Sequence, residues 1–239
     1  MCLAIIFSIF LKVHVFDFVK VISLNQNSKY LNSPFLIHYW PFNSHIQDVI
    51  GGAHLFNGKN AGLTSDRFGR SLSALSLSNG HYQIPPGNYF STGQFTITFW
   101  LKTRTFKLWS RLIDFSNGPL IDSIFFNTLD SQNNCKFKLY NLNTVIGFQN
   151  SSKIPLNTWT HVSLTYGKTN ILSIYYNGTI QGSSLTSQAL NNKTRLYNFI
   201  GRSSNYAVGD PDIDAILDEL QIFNNKLNQK EVELEMINN

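Results

Sequence analysis

The sequence predicts an all-β protein, a sandwich or jelly roll closed by a short C-terminal helix. Three observations carry that expectation. First, apolar and polar residues alternate with a period of two: Phe95, Ile97, Phe99 and Leu101 against Thr96, Thr98, Trp100 and Lys102; Val162, Leu164 and Tyr166 against His161, Ser163 and Thr165; Leu172, Ile174 and Tyr176 against Ser173 and Tyr175. That period sends successive side chains to opposite faces of a strand and turns one face to a core. Second, Asn177-Gly178 follows the last of these segments, and a tight primed hairpin turn needs positive φ at both central residues, which this pair supplies best. Third, about ten strand candidates succeed one another at short spacing with Gly, Pro, Asn and Ser between them, the pattern of sandwiches and jelly rolls.

Composition agrees. Of the 239 residues, 43% are hydrophobic, 14% aromatic and 14% charged. A disordered chain would be heavily charged and poor in aromatics, and a coiled coil would be dominated by Ala, Glu, Lys, Leu and Arg. The 19 basic and 14 acidic residues leave a net charge of +5 spread along the chain, which is not the concentrated basic patch of a nucleic-acid binder. The two cysteines are Cys2 and Cys135; once the first residues are removed, Cys135 has no intrachain partner and the fold must stand on its core.

Taken in order, residues 1–23 come first. Leu3 to Leu11 form an apolar run of secretory length, about half of a membrane span. No Lys or Arg precedes it, and Lys12, His14, Asp17 and Lys20 intervene before Val21 and Ser23 offer a small-residue cleavage site. The segment reads as a signal peptide or, uncleaved, as an anchor, and the destination as secreted or extracellular surface; a membrane enters only through an uncleaved segment. Residues 24–35, rich in Asn, Ser and Lys, read as a tether, and residues 36–239 as one domain. Beyond the three alternating segments, strand candidates are Ile37 to Phe42, Leu112 to Phe115, Ile124 to Leu129, Cys135 to Leu142, Val145 to Phe148, Phe199 to Gly201 and Ile213 to Phe223. At the C-terminus Asn228 caps a helix of one or two turns, with Glu231 reaching back and Val232, Leu234 and Ile237 as its apolar stripe. Sequons at Asn150, Asn177 and Asn192 suit export, although a chain this rich in Asn, Ser and Thr produces such triplets by chance.

The ordered motifs are Tyr39-Trp40-Pro41-Phe42 with Asp48 and Gly51; Asp66-Arg67-Phe68-Gly69 with Ala74-Leu75 and Leu77; Phe95 to Trp100; Asn157-Thr158-Trp159-Thr160-His161-Val162; Tyr175-Tyr176-Asn177-Gly178; Ile200-Gly201-Arg202; Leu217 to Phe223; and Leu227 with Glu231-Val232. In this order and spacing they resemble the laminin G-like, concanavalin A-like jelly-roll domains, the group that includes the pentraxins, over nearly everything after the tether. The resemblance implies a sandwich of two antiparallel sheets serving as an extracellular binding or adhesion module, often with calcium and usually without catalysis of its own.

Chemistry is tested residue by residue. Glucanases of this kind of sandwich need paired carboxylates alternating along one strand, one as acid and one as nucleophile or base. Asp212, Asp214, Asp218 and Glu219 come nearest, but Ala215, Ile216 and Leu217 break the alternation. No His-Glu-x-x-His helix, Gly-x-Ser-x-Gly elbow or phosphate loop is present, so an enzyme is not expected. Strict alternation puts Asp218 on the apolar side of its strand with Ile216, Leu220 and Ile222. A carboxylate there must be hydrogen-bonded, paired or coordinated, and calcium with hard oxygen ligands meets that need. Asp218, with Asp48 by the resemblance, is therefore the candidate metal pair. The alternative pairs Asp218 with Arg67 or Arg70 and leaves Asp48 capping a turn.

For a ligand, Trp100, His161 and Tyr175 share the non-aliphatic side of their strands, although Trp100 and Trp159 equally suit packing. The loop holding Asn205, Tyr206, Asp210 and Asp212 is the other place, since loops carry function on rigid scaffolds; no ligand-binding residue is singled out. The expected function is recognition of a glycan or matrix protein through sandwich loops. The alternatives are a structural or interaction domain with no small ligand and, further off, a degenerate glycosidase-like enzyme.

Overall fold

The computed structural model describes residues 33–238. Thirteen strands lie among them: β1 (Leu36–Trp40), β2 (Phe56–Thr64), β3 (Ala74–Ile84), β4 (Phe95–Thr105), β5 (Arg111–Ser116), β6 (Ile124–Asn127), β7 (Cys135–Asn141), β8 (Thr144–Ser151), β9 (Thr160–Tyr166), β10 (Ile171–Tyr176), β11 (Thr179–Leu185), β12 (Tyr197–Ile200) and β13 (Ile213–Phe223). A 3-10 turn spans Tyr206–Val208, and helix α1 spans Gln229–Asn238. The signal or anchor segment and most of the tether lie outside the described residues.

The pairing is antiparallel throughout, in the order β11-β10-β9-β4-β13-β3-β12-β5-β6-β7-β8, with β1 on β13 and β2 on β3. The ladder folds over one core to make the jelly-roll sandwich. Strand β3 joins the layers: Leu75 to Gly80 pair with β13, and Tyr82 to Ile84 pair with β12. Gly80 sits at that crossing, where a Cβ would meet the Asn60 and Lys59 carbonyl oxygens at 2.2 and 2.4 Å, so only glycine fits. Alternation works as read from the sequence. Phe95, Ile97, Phe99 and Leu101 meet Val162, Leu164, Tyr166, Leu172 and Ile174 from one layer and Ile124, Phe126, Phe137 and Leu139 from the other.

Local signals did their part. The Asn177-Gly178 turn has φ values of 47° and 77° and returns the chain into β11. The Asn228 backbone N–H donates to Glu231 at 2.7 Å, and the Glu231 N–H donates to Asn228 Oδ1 at 3.1 Å, the reciprocal capping box.

Other expectations change. Strands β2, β3 and β11 lie outside the candidates. Strand β2, with Gly58, Gly62 and two asparagines at positive φ, lacks alternation and is held by its pairing with β3 rather than by a buried face. The helix buries Val232 and Glu235, while Ile237 is exposed, so the stripe narrows to Val232 against Leu36, Tyr39, Tyr175, Phe223 and Leu227. Trp159 is only partly buried and stands outside the core.

Candidate functional site

Strand β13 does not keep a period of two. Ala215 and Leu217 face the core, and so do Leu220 and Ile222, because Glu219 adopts φ 53° and the pairing with β4 shifts between Asp218 and Gln221. This is a β-bulge with a non-glycine residue in the left-handed region. It reverses the facing expected for Asp218. The carboxylate is buried, but on the outer face of the sheet, beside Trp100 of β4, whose other cross-strand neighbour is His161 of β9.

Arg67 reaches Asp218 from the loop after β2, with Nη1 donating to Oδ2 at 2.5 Å. The same guanidinium lies 4.9 Å over the Trp100 ring and 4.4 Å over Phe68. The Tyr39 hydroxyl of β1 donates to Glu219, and Trp100 meets His161 edge-on at 5.3 Å. Burial, followed by the Glu219 charge, pushes the Asp218 carboxyl up to about 7 against the pull of Arg67. Burial likewise raises Glu219, opposed by the Tyr39 hydrogen bond. Burial drives His161 down to about 3, with the Arg67 charge adding to the effect, so its ring is neutral. This is a closed electrostatic joint that fastens β1 and the 65–70 loop to the sheet. The alternative reading of Asp218, a pair with Arg67, is the one observed, and Trp100 is clamped packing rather than an open sugar platform.

Asp48 is tied separately. Its Oδ1 accepts the backbone N–H groups of Tyr39, Ile50 and Gly51, and its Oδ2 accepts Ala53 N–H at 2.9 Å and contacts His38 Nδ1 at 2.6 Å. Burial alone would raise this carboxyl, but the His38 contact and the backbone donors hold it well below the usual range. Tyr39 therefore links the two aspartate neighbourhoods, its N–H on Asp48 and its hydroxyl on Glu219 beside Asp218. A calcium site at Asp48 and Asp218 does not fit this donor set: five donors fill the lone pairs of Asp48, and Arg67 occupies Asp218. Among the described residues no group of three or more His, Cys, Asp or Glu side chains is placed to hold a metal ion.

The outer face of the opposite layer is different. Here β6, β7 and β8 turn Phe125, Lys136, Lys138, Tyr140 and Phe148 outward, while Phe126, Phe137 and Leu139 face the core. Phe125, Lys138 and Phe148 are successive cross-strand partners. Each ring carries a cation: Arg111 lies 3.8 Å over Phe125, Lys138 4.9 Å over Tyr140 and Lys136 5.2 Å over Phe148. Phe125 and Tyr140 stack at 6.2 Å, and Phe148 is 47% exposed. Sequence reading passed over these residues, although the alternation of Cys135, Phe137 and Leu139 with Lys136, Lys138 and Tyr140 was the signal that separates them.

The loop after β12 borders this face. Asp210 takes a hydrogen bond from Ser203 at 2.8 Å and lies 3.5 Å from Arg111. Asp212 joins Arg202 at 2.9 Å and His81 at 2.7 Å. The two acidic loop residues are thus internal braces, whereas Tyr206, with Arg202 4.9 Å from its ring, is half exposed.

Comparison with known proteins places the fold. A family model described as the concanavalin A-like lectin/glucanases superfamily matches residues 77–233. No curated protein matches the chain. Among solved structures, domain 4 of AbnA, an extracellular GH43 arabinanase of Geobacillus stearothermophilus solved with arabinotriose, superposes with a TM-score of 0.65 at 16% identity, covering 84% of this chain and 98% of that one. The binding domain of Paraclostridial Mosquitocidal Protein 1 gives 0.61 at 19% identity, over 84% of this chain and 52% of that one. A structure of botulinum neurotoxin type C, whose passage into cells depends on interaction with two ganglioside molecules, gives 0.62 at 16% identity, over 90% and 52%. The chain therefore spans about half the length of the toxin chains, and at these identities the likeness is one of fold.

Proposed function

This chain belongs to the concanavalin A-like lectin/glucanases superfamily, and from that premise we propose that it is a non-catalytic, extracellular glycan-binding module. The observation that carries the reading is the outer face of β6, β7 and β8, where Phe148 is exposed beside the buried rings of Phe125 and Tyr140. Sugar rings present an apolar C–H face and a polar rim, and aromatic rings beside hydrogen-bond donors answer both. Phe148 offers a half-exposed ring, with Lys136 over it and Lys138 across the ladder from it as cationic donors. The neighbours support it: the arabinanase domain was solved with arabinotriose, and the neurotoxin depends on gangliosides. No paired carboxylates for glycoside hydrolysis stand on this face; its Asp114 and Asp130 are committed to Arg111 at 2.6 Å and Lys136 at 2.7 Å. Among the described residues no helix is long and apolar enough to cross a membrane, and the N-terminal segment is proposed to direct export.

A second reading, an interaction domain with no small ligand, draws on β2, which pairs only with β3 among the described residues and is largely exposed, leaving an edge open to another strand. One experiment separates the two. The full chain is applied to an array of plant, bacterial and animal glycans alongside matrix proteins, and its native mass is measured. Retention on at least one glycan class is expected; uniform absence of glycan binding with a native dimer overturns the glycan reading in favour of the second.

A further inference from the structure

We propose that the corner formed by Lys138, Tyr140 and Phe148 selects an acidic sugar, one carrying a carboxylate or sulfate, over its neutral counterpart; this rests on the glycan-binding reading above. Three cations lie on the face, and their partners differ. Arg111 is neutralised by Asp114 at 2.6 Å and by Asp210 at 3.5 Å. Lys136 is neutralised by Asp130 at 2.7 Å, a carboxylate held in place by the N–H groups of Gln132 and Asn134. Lys138 has no carboxylate partner among the described residues; its ammonium rests on the Tyr140 ring. The three cations and three carboxylates balance, but Lys138 is the cation whose ammonium keeps unused donors, and the fold sets this residue across from the most exposed ring of the face, since Lys138 and Phe148 are cross-strand partners.

The surroundings strengthen the choice. The ammonium lies over the Tyr140 ring, Phe125 and Phe148 flank Lys138 as its cross-strand partners, and Val145, 38% exposed, stands across from Tyr140. Apolar neighbours thin the water around the charge, so an anion arriving there meets a field less screened than on an open charged surface. A sugar whose ring lies on Phe148 brings a substituent on its edge towards Lys138. A hydroxyl gives the ammonium an ordinary acceptor, while a carboxylate or sulfate gives it a charge-assisted bond of roughly twice the strength. The three carboxylates at and beside the face, Asp114, Asp210 and Asp130, are already paired with Arg111 and Lys136, so they oppose an incoming anion less than free carboxylates would.

Binding of the full chain is measured by calorimetry against matched pairs: sialyllactose with lactose, sulfated lactose with lactose, and inorganic sulfate alone. At moderate salt the acidic member is expected to bind at least about tenfold more tightly than lactose, roughly the value of one charge-assisted contact, with the advantage shrinking as salt screens it. Lys138→Gln is expected to bring the acidic sugar down to the affinity of the neutral one. Lys59→Gln, on exposed β2, removes the same net charge and keeps the preference. The two acidic arms show whether the carboxylate or the sulfate source is preferred. Equal affinity for both members of each pair, a preference that survives Lys138→Gln, or inorganic sulfate binding as tightly as the acidic sugars overturns the selection while leaving glycan binding intact. Failure to bind any sugar overturns the glycan reading itself, and the selection with it.

Discussion

On the outer face of β13, β4 and β9, Arg67 lies 4.9 Å over Trp100; on the outer face of β6, β7 and β8, Lys138 lies 4.9 Å over Tyr140. The contact is the same kind, a cation on an aromatic ring, but its setting is opposite. Arg67 is also bound to a buried carboxylate, and a tyrosine and a second carboxylate close the cluster at the β13 bulge. Lys138 has its ring and solvent, with a half-exposed phenylalanine across the ladder. Once a counter-charge is buried beside a cation, the pair becomes a fixed joint whose loss is costly. Without one, the cation stays available, so on this sandwich the placing of carboxylates separates a joint from a binding face.

The largest effect tests the joint. Arg67→Met strands Asp218 without its counter-ion and is expected to lower stability by about 3 to 5 kcal/mol, read from urea unfolding, whereas Lys138→Met on the open face is expected to change it by no more than about 0.5 kcal/mol. Equal losses would erase the distinction.

Next comes pH. The folded Asp218 carboxyl, at about 7, lies above its ordinary 3.8, so between those values the native state holds a proton that the unfolded chain has released. Stability is therefore expected to fall as pH rises through that window, by at most about 1.4 kcal/mol per unit from this group, and Asp218→Asn is expected to flatten the slope. Asp48 acts in the other sense: its carboxyl is depressed, so its contribution is complete above the ordinary value and drains away as pH falls below it. A profile whose slope in the upper window is unchanged by Asp218→Asn would contradict the burial of that carboxyl.

A smaller loss probes the helix that packs beside the closed face. Asn228→Ala removes the acceptor for the Glu231 N–H and is expected to cost about 1 kcal/mol in a thermal or urea melt. On the open face, Phe148→Ala is expected to leave the melt within about 0.5 kcal/mol of wild type while abolishing retention on the glycan array. The smallest effect concerns calcium. An ion that binds only the native state must raise the melting midpoint, and with Asp48 filled by protein donors and Asp218 paired with Arg67, melts in calcium and in chelator are expected to coincide; a clear rise with calcium would reopen the metal pair.

Much of the fold was legible because its signals are local. Alternation in residues 95–102 and 162–176, the Asn177-Gly178 turn and the Asn228 capping box each act over a few residues, and each is found where it was read. Strand β2 was not legible, since its residues bury little and pair because β3 lies beside them. The site was legible in its parts but not in its sense. Asp218, Trp100, His161 and Arg67 were all singled out, yet the strand period put Asp218 on the wrong face, because a bulge at a glutamate leaves no glycine to announce it.

What the sequence determined alone is the class of architecture: strands, their inward residues, the closing helix and the motif order of the family, all of which follow from the two-residue period and from turn and cap chemistry. Which cation meets which carboxylate was decided only by the tertiary structure. Arg67 and Asp218 are 151 residues apart along the chain, and no local rule relates them. Asp130 stands close to both Lys136 and Lys138 in sequence, yet it satisfies Lys136 and not Lys138. Coulomb attraction depends on distance through space and on the surrounding dielectric, and both are set by how the two layers fold over one another.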